Sequence, residues 1–108
     1  IETLTRQLAE KALELFKSIE TGGGFLIQLK NHILQKKIKE SAQKEQQRFD
    51  EAQEVLVGSN KYQNKNDRMK DDLELYPFVK INTRKTLVEP IIERRLSEEI
   101  EQLRLKEE

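Results

Sequence analysis

Residues 22–62, GGGFLIQLKNHILQKKIKESAQKEQQRFDEAQEVLVGSNKY, are the stretch from which the rest of the chain takes its order. Gly22-Gly23-Gly24 stops whatever helix precedes it, because only glycine enters the φ > 0 region without a Cβ clash. A charged helical segment follows from about Ile33 to Glu54. It closes on Val55-Leu56-Val57, the one place where β-branched and apolar residues crowd together, and Gly58 ends that crowding. The glycine run follows a helix instead of linking a strand to one, and it matches neither GxGxxG nor a Gly-Lys-Ser/Thr phosphate loop. It reads as a stop and a tight turn.

Upstream, Ile1, Leu4, Leu8, Ala12, Leu15, Phe16 and Ile19 recur at three- and four-residue steps, and Ala9 and Leu13 widen the stripe. That period predicts an amphipathic helix up to Thr21. Its polar face mixes Glu10, Glu14 and Glu20 with Lys11 and Lys17, where a membrane-surface helix wants Lys and Arg. The stripe therefore reads as a packing face. Phe25, Leu26 and Leu29 predict a short helix after the glycines. Leu34, Ile38, Ala42, Phe49 and Ala52 then mark a narrow stripe on a long helix, with i,i+4 pairs Lys36/Glu40, Glu40/Lys44 and Gln46/Asp50 on its exposed side.

Downstream, Val55–Val57 predicts a short strand or buried extended segment. Ser59 to Arg68, with Asn60, Asn64, Asn66 and Asp67, predicts a loop. Met69 to Glu89 reads as a linker laid in extended form on a surface, Pro77 forcing Tyr76 towards extended geometry. Pro90 suits the first turn of a last helix. Ile92, Leu96, Ile100 and Leu103 stripe that helix to about Lys106, flanked by Arg94/Glu98 and Arg95/Glu99.

Composition narrows the function. The chain has 108 residues, 35% hydrophobic and 37% charged, with 20 basic and 20 acidic side chains. Charge neutrality argues against a nucleic-acid partner, whose usual footprint is a basic excess. No run approaches the roughly eighteen apolar residues of a membrane span, and the first residues already read as helix and not as a signal peptide. Without cysteine there is neither a disulfide framework nor a thiolate, which suits a cytoplasmic setting. So few apolar residues on such long helices do not make a deep core. Burying a large aliphatic side chain yields roughly 1.5–3 kcal/mol, while fixing one residue costs about 1–2 kcal/mol. The stripes are expected to bury against something outside this chain.

No residue stands out as a reactive group. His32 is the only histidine and has no HExxH spacing and no cysteine partner, so it reads as a surface or boundary residue. Lys36, Lys37 and Lys39 could hint at phosphate, but Glu40 and Glu45 follow closely and a solvated helix face is the reading. The Asn-rich loop lacks the spacing and bidentate Glu of a calcium loop.

The order of several short motifs carries a resemblance. Glu2-Thr3-Leu4-Thr5 opens a helix, Ile19-Glu20 precedes Gly23-Gly24-Phe25, then come Ile38, Glu40, Gln46, Arg48 and Asp50, and finally Val57-Gly58 with Asn60-Lys61-Tyr62. Over roughly residues 1–65 this resembles the methylmalonyl-CoA mutase family, in which E-x-L-T, I-E-x-x-G-G-[MF], I-E-E-A-A…Q-x-R-I-D and V-G-V-N-K-Y follow at these spacings. Residues 82–108, with Arg84-Lys85-Thr86, Glu89-Pro90-Ile91-Ile92, Arg94-Arg95-Leu96 and Glu98-Glu99, look more like the small, non-catalytic subunit than the large one. The chain departs from the pattern at His32 and Leu34, where the family usually has Gly and Pro. It departs also at Glu51-Ala52, where Ser-Gly is common, and at Ser59, where Val is.

The resemblance implies a stretch after the last strand of a (β/α)8 barrel plus the linker towards a cobalamin-type domain. It implies a parent that uses adenosylcobalamin to isomerise (R)-methylmalonyl-CoA to succinyl-CoA as a heterodimer. The family's cobalamin-ligating Asp-x-His-x-x-Gly is not here: Lys30 stands two before His32 and Gln35 three after. No catalytic, cofactor-binding or metal residue transfers onto this sequence. The expected fold is a mainly α-helical fragment, with two long helices, a short one between, a brief extended segment, a linker and a C-terminal helix. Residues 1–62 would belong to the barrel edge, 63–89 to the linker and 90–108 to the last helix. Its expected role is structural, assembling on the catalytic large subunit and the barrel of its own chain, with self-association of the isolated piece. An independent helical protein–protein interaction module is the rival reading.

Overall fold

The structure is a computed structural model that describes residues 1–72, 78–80 and 84–108. Five helices follow in order, α1 (Glu2–Thr21), α2 (Phe25–Lys30), α3 (Ile33–Asp50), α4 (Met69–Asp72) and α5 (Glu98–Glu107). Among the described residues there is no strand, only an isolated bridge between Val57 and Lys61. The mainly helical class and the long–short–long order of the first three helices match the expectation.

Three left-handed residues set where the first helices stop. At the end of α1, Gly23 donates its N–H to Glu20 O at 3.2 Å and Gly24 to Ile19 O at 3.0 Å, with Gly23 at φ 103°. These are the two reversed bonds by which a helix satisfies its last carbonyls through a left-handed residue. The same arrangement ends α3, where Ala52 N–H reaches Phe49 O at 3.0 Å, Gln53 N–H reaches Arg48 O at 2.8 Å, and Ala52 sits at φ 58°. Between α2 and α3 the turn is made by His32, φ 62°, whose N–H donates to Leu29 O at 3.3 Å. So α3 ends at Asp50, short of the expected Glu54.

Two predicted elements differ. Val55, Leu56 and Val57 form neither a strand nor a buried segment, and all three are exposed. Asn60 is the reason. Its Oδ1 accepts from Leu56 N–H at 2.8 Å and its Nδ2 donates to Glu54 O at 2.8 Å, using backbone groups that a neighbouring strand would need. Gly58, φ 87°, then folds back so that its N–H reaches Lys61 O at 2.7 Å. The V-G-x-N-K-Y motif is thus a self-stapled loop.

The last helix begins at Glu98 instead of at Pro90. Tertiary hydrogen bonds act on the backbone ahead of it: Glu89 O accepts from Gln35 Nε2 at 3.1 Å and Leu96 O from Gln46 Nε2 at 3.3 Å. Arg94 turns to Glu45 and away from Glu98. Within the expected linker, Met69–Asp72 forms α4, whose first two N–H groups donate to the Glu108 carboxylate at 2.8 and 3.0 Å. Leu73, Leu75, Tyr76, Pro77 and Ile81 of that linker lie outside the described residues.

The chain divides into two compact units. The first comprises residues 1–39 with 86–90, and the second residues 40–85 with 91–108. In the first, α1 packs on α2, and in the second, α4 packs on α5. The second unit holds the buried hydrophobic side chains, Phe49 and Phe78, and buried Ser97. Among the described residues of the first unit the buried side chains are Gln28 and Gln35, and no hydrophobic one is buried.

Candidate interface

The first unit is built with amides inside and hydrocarbon outside. Leu4, Leu8, Leu15 and Phe16 lie on one edge of α1 and are all more than half exposed. Helical spacing puts Ile1 and Ala12 on that edge as well, and Ile19 at its end is half-buried. On α2, Phe25, Leu26 and Ile27 are also exposed. Isolated exposed apolar residues are ordinary, whereas an edge running the length of a twenty-residue helix marks a contact surface.

What is buried instead is polar. Gln28 closes the α1–α2 corner, its Nε2 donating to Ile19 O at 3.3 Å, which occupies a carbonyl at the end of α1. Gln35, 2% exposed, divides its Nε2 between Leu29 O at 2.9 Å and Glu89 O at 3.1 Å. In both glutamines Oε1 has no partner. Such groups cost free energy when buried, so these glutamines hold geometry and supply no hydrophobic gain.

Glu89 completes the polar corner. Its carboxylate accepts from Lys39 Nζ, and Oε2 lies 3.1 Å from His32 Nδ1. The hydrogen bond from Lys39 holds the Glu89 carboxyl below the usual glutamate value; burial works against it, and the charges of Lys39 and His32 add to it. His32 and Lys39, read from sequence as a boundary residue and part of a solvated face, are therefore brought together by a residue 50 positions beyond Lys39. Gln28, Gln35 and Glu89 were not legible as a set, because a single glutamine inside a helical pattern fits either face.

The polar loop after Tyr62 makes a shallow cleft of about 530 Å3 with the end of α5. Arg104 Nη2 spans it, donating to Asn64 O at 3.4 Å and Asp67 O at 3.2 Å. Asn66 N–H donates to Asn64 Oδ1 at 3.1 Å. Arg104 and Asn64 thus spend these groups on one another's surroundings. Among the described residues no group of three or more His, Cys, Asp or Glu side chains is arranged to hold a metal, and no helix is long and apolar enough to cross a membrane.

The methylmalonyl-CoA mutase family profile matches residues 1–105. The chain belongs to the methylmalonyl-CoA mutase family. A methylmalonyl-CoA mutase of Rhizobium meliloti is 37% identical over 75 residues, covering 69% of this chain and 10% of the relative. The mutase large subunit of Porphyromonas gingivalis is 35% identical over 75 residues, 69% of this chain and 10% of that subunit. The small subunit of the same organism is 32% identical over 108 residues, the whole of this chain and 18% of that subunit. The chain thus spans between a tenth and a fifth of these relatives. No solved structure matches it.

Mutase chemistry in this family implies a corrinoid, and the residues here do not fit one. The sole imidazole is 58% exposed and turned onto Glu89, and His32 does not line the cleft beside α5. What the mutase-family residues of this chain offer is surface.

Proposed function

We propose that this chain is a structural and assembly segment of an adenosylcobalamin-dependent methylmalonyl-CoA mutase, of the small-subunit kind. In this reading residues 1–62 lie at the edge of a (β/α)8 barrel, residues 63–89 form the interdomain linker, and residues 90–108 lead towards a cobalamin-type domain. The conversion of (R)-methylmalonyl-CoA to succinyl-CoA belongs to the whole heterodimer, in the cytoplasm, and adenosylcobalamin is held elsewhere in it.

One observation carries the proposal: the apolar edge of α1 stays exposed along its length while the first unit buries glutamine. A helix patterned this way gains most of its stability from tertiary packing of its apolar face. The alignment to a small subunit, over the whole of this chain and 18% of that subunit, supports that branch, as do the residues from Arg84 to Glu99. The family match over residues 1–105 weighs against the rival reading, an independent interaction module, which makes the motif agreement a coincidence.

The test is binding of the chain to a recombinant catalytic subunit by isothermal titration calorimetry. Binding is expected with a negative heat-capacity change, the marker of apolar burial, and Leu8→Asp with Phe16→Asp is expected to abolish it. Corrinoid titration and a mutase assay on the chain alone are expected to be blank. Turnover or tight corrinoid capture by the chain alone contradicts the proposal.

A further inference from the structure

We infer that Glu89 is the latch of a clasp: its charged side chain, bridged by Lys39 and His32, holds residues 86–90 on the α2–α3 corner and releases them when it is protonated. Among the described residues, Val88 is the half-buried apolar side chain of that segment, and its remaining ties are polar. Thr86 Oγ1 donates to Val88 O at 2.7 Å, which shapes the segment but does not tie it down. Leu87 is fully exposed and contributes no burial. The neutral tie is the hydrogen bond from Gln35 Nε2 to Glu89 O, and that amide is shared with Leu29 O. Among the described residues, two further ties end on the Glu89 carboxylate, from Lys39 on α3 and from His32 at the corner. These are the charged groups that act on it.

The sign follows from the direction in which Glu89 is shifted. Its carboxyl titrates below the ordinary value of 4.5 in the folded chain. A depressed carboxyl contributes stability that is fully present above its unfolded value and lost as pH falls through its folded one. Glu89 is therefore still more than half charged where an ordinary glutamate is half protonated, and the clasp opens as pH falls further. Removing the charge by substitution opens it at any pH.

The chain has no cysteine, so spin labels at Asn31→Cys and Leu87→Cys, both exposed positions of the first unit, report the clasp without background. Double electron–electron resonance is expected to give one narrow distance distribution at neutral pH. It is expected to broaden on acidification with a midpoint below 4.5, the ordinary glutamate value. In Glu89→Gln it is expected to be broad at neutral pH, with helical circular dichroism retained, while Glu93→Gln, outside the clasp, stays narrow. Should Glu89→Gln lose helix, Lys39→Met and His32→Gly, each removing one arm, are expected to broaden the distribution in part. A narrow distribution in Glu89→Gln or in both single-arm variants overturns the inference, and so does equal broadening in Glu93→Gln.

Discussion

Gly23, His32 and Ala52 occupy the same left-handed conformation at the ends of α1, α2 and α3, yet one of them is glycine and two are not. His32 and Ala52 each carry a Cβ into a conformation that crowds it. That crowding costs about 1 kcal/mol or more per residue. Ala52→Gly is therefore expected to stabilise the chain by about 1 kcal/mol, measured by chemical denaturation; destabilisation would mean that the α3 stop is held by something other than its left-handed turn. His32→Gly is expected to gain less, because it also removes the contact to Glu89.

Elements follow from these stops and from tertiary polar ties, and the two were not equally legible in the sequence. The apolar period of α1 and the glycines behind it announced the first helix and its end. The end of α3 was hidden, since alanine is the strongest helix former and signals continuation. The start of α5 was hidden for another reason: Gln35 and Gln46 claim carbonyls some 50 positions away, which no local window contains. The contact surface was legible in part, as an apolar stripe with too few partners, while the polar corner was not legible at all. At the α1–α2 corner, a Cβ on Gly22 would lie 2.1 Å from Gln28 Nε2. Gly22→Ala, at an ordinary φ of −79°, therefore displaces the end of the Gln28 side chain and its bond to Ile19 O, at a cost of about 0.5–1 kcal/mol. Thermal denaturation followed by circular dichroism measures it; an unchanged midpoint would mean that Gln28 moves aside without loss.

For the molecule as a whole, the apolar edge of α1 is the outstanding unrealised term. Four large side chains at about 2 kcal/mol each, already partly covered, leave roughly 5 kcal/mol to be gained by burial. Association itself costs about 4–15 kcal/mol. Pairing with a second copy buries this edge on both chains, about 10 kcal/mol in all, which only meets that cost and leaves the pair weak, whereas a larger surface that also covers Phe25, Leu26 and Ile27 adds to the gain. Sedimentation velocity of the 108-residue chain on serial dilution, alone and with the catalytic mutase subunit, is the direct measurement. The account predicts weak, dilution-sensitive self-association alone and a tighter complex with the subunit, both lost in Leu8→Asp with Phe16→Asp. A compact monomer that ignores dilution, ignores the subunit and sediments like its Leu8→Asp, Phe16→Asp variant would contradict it.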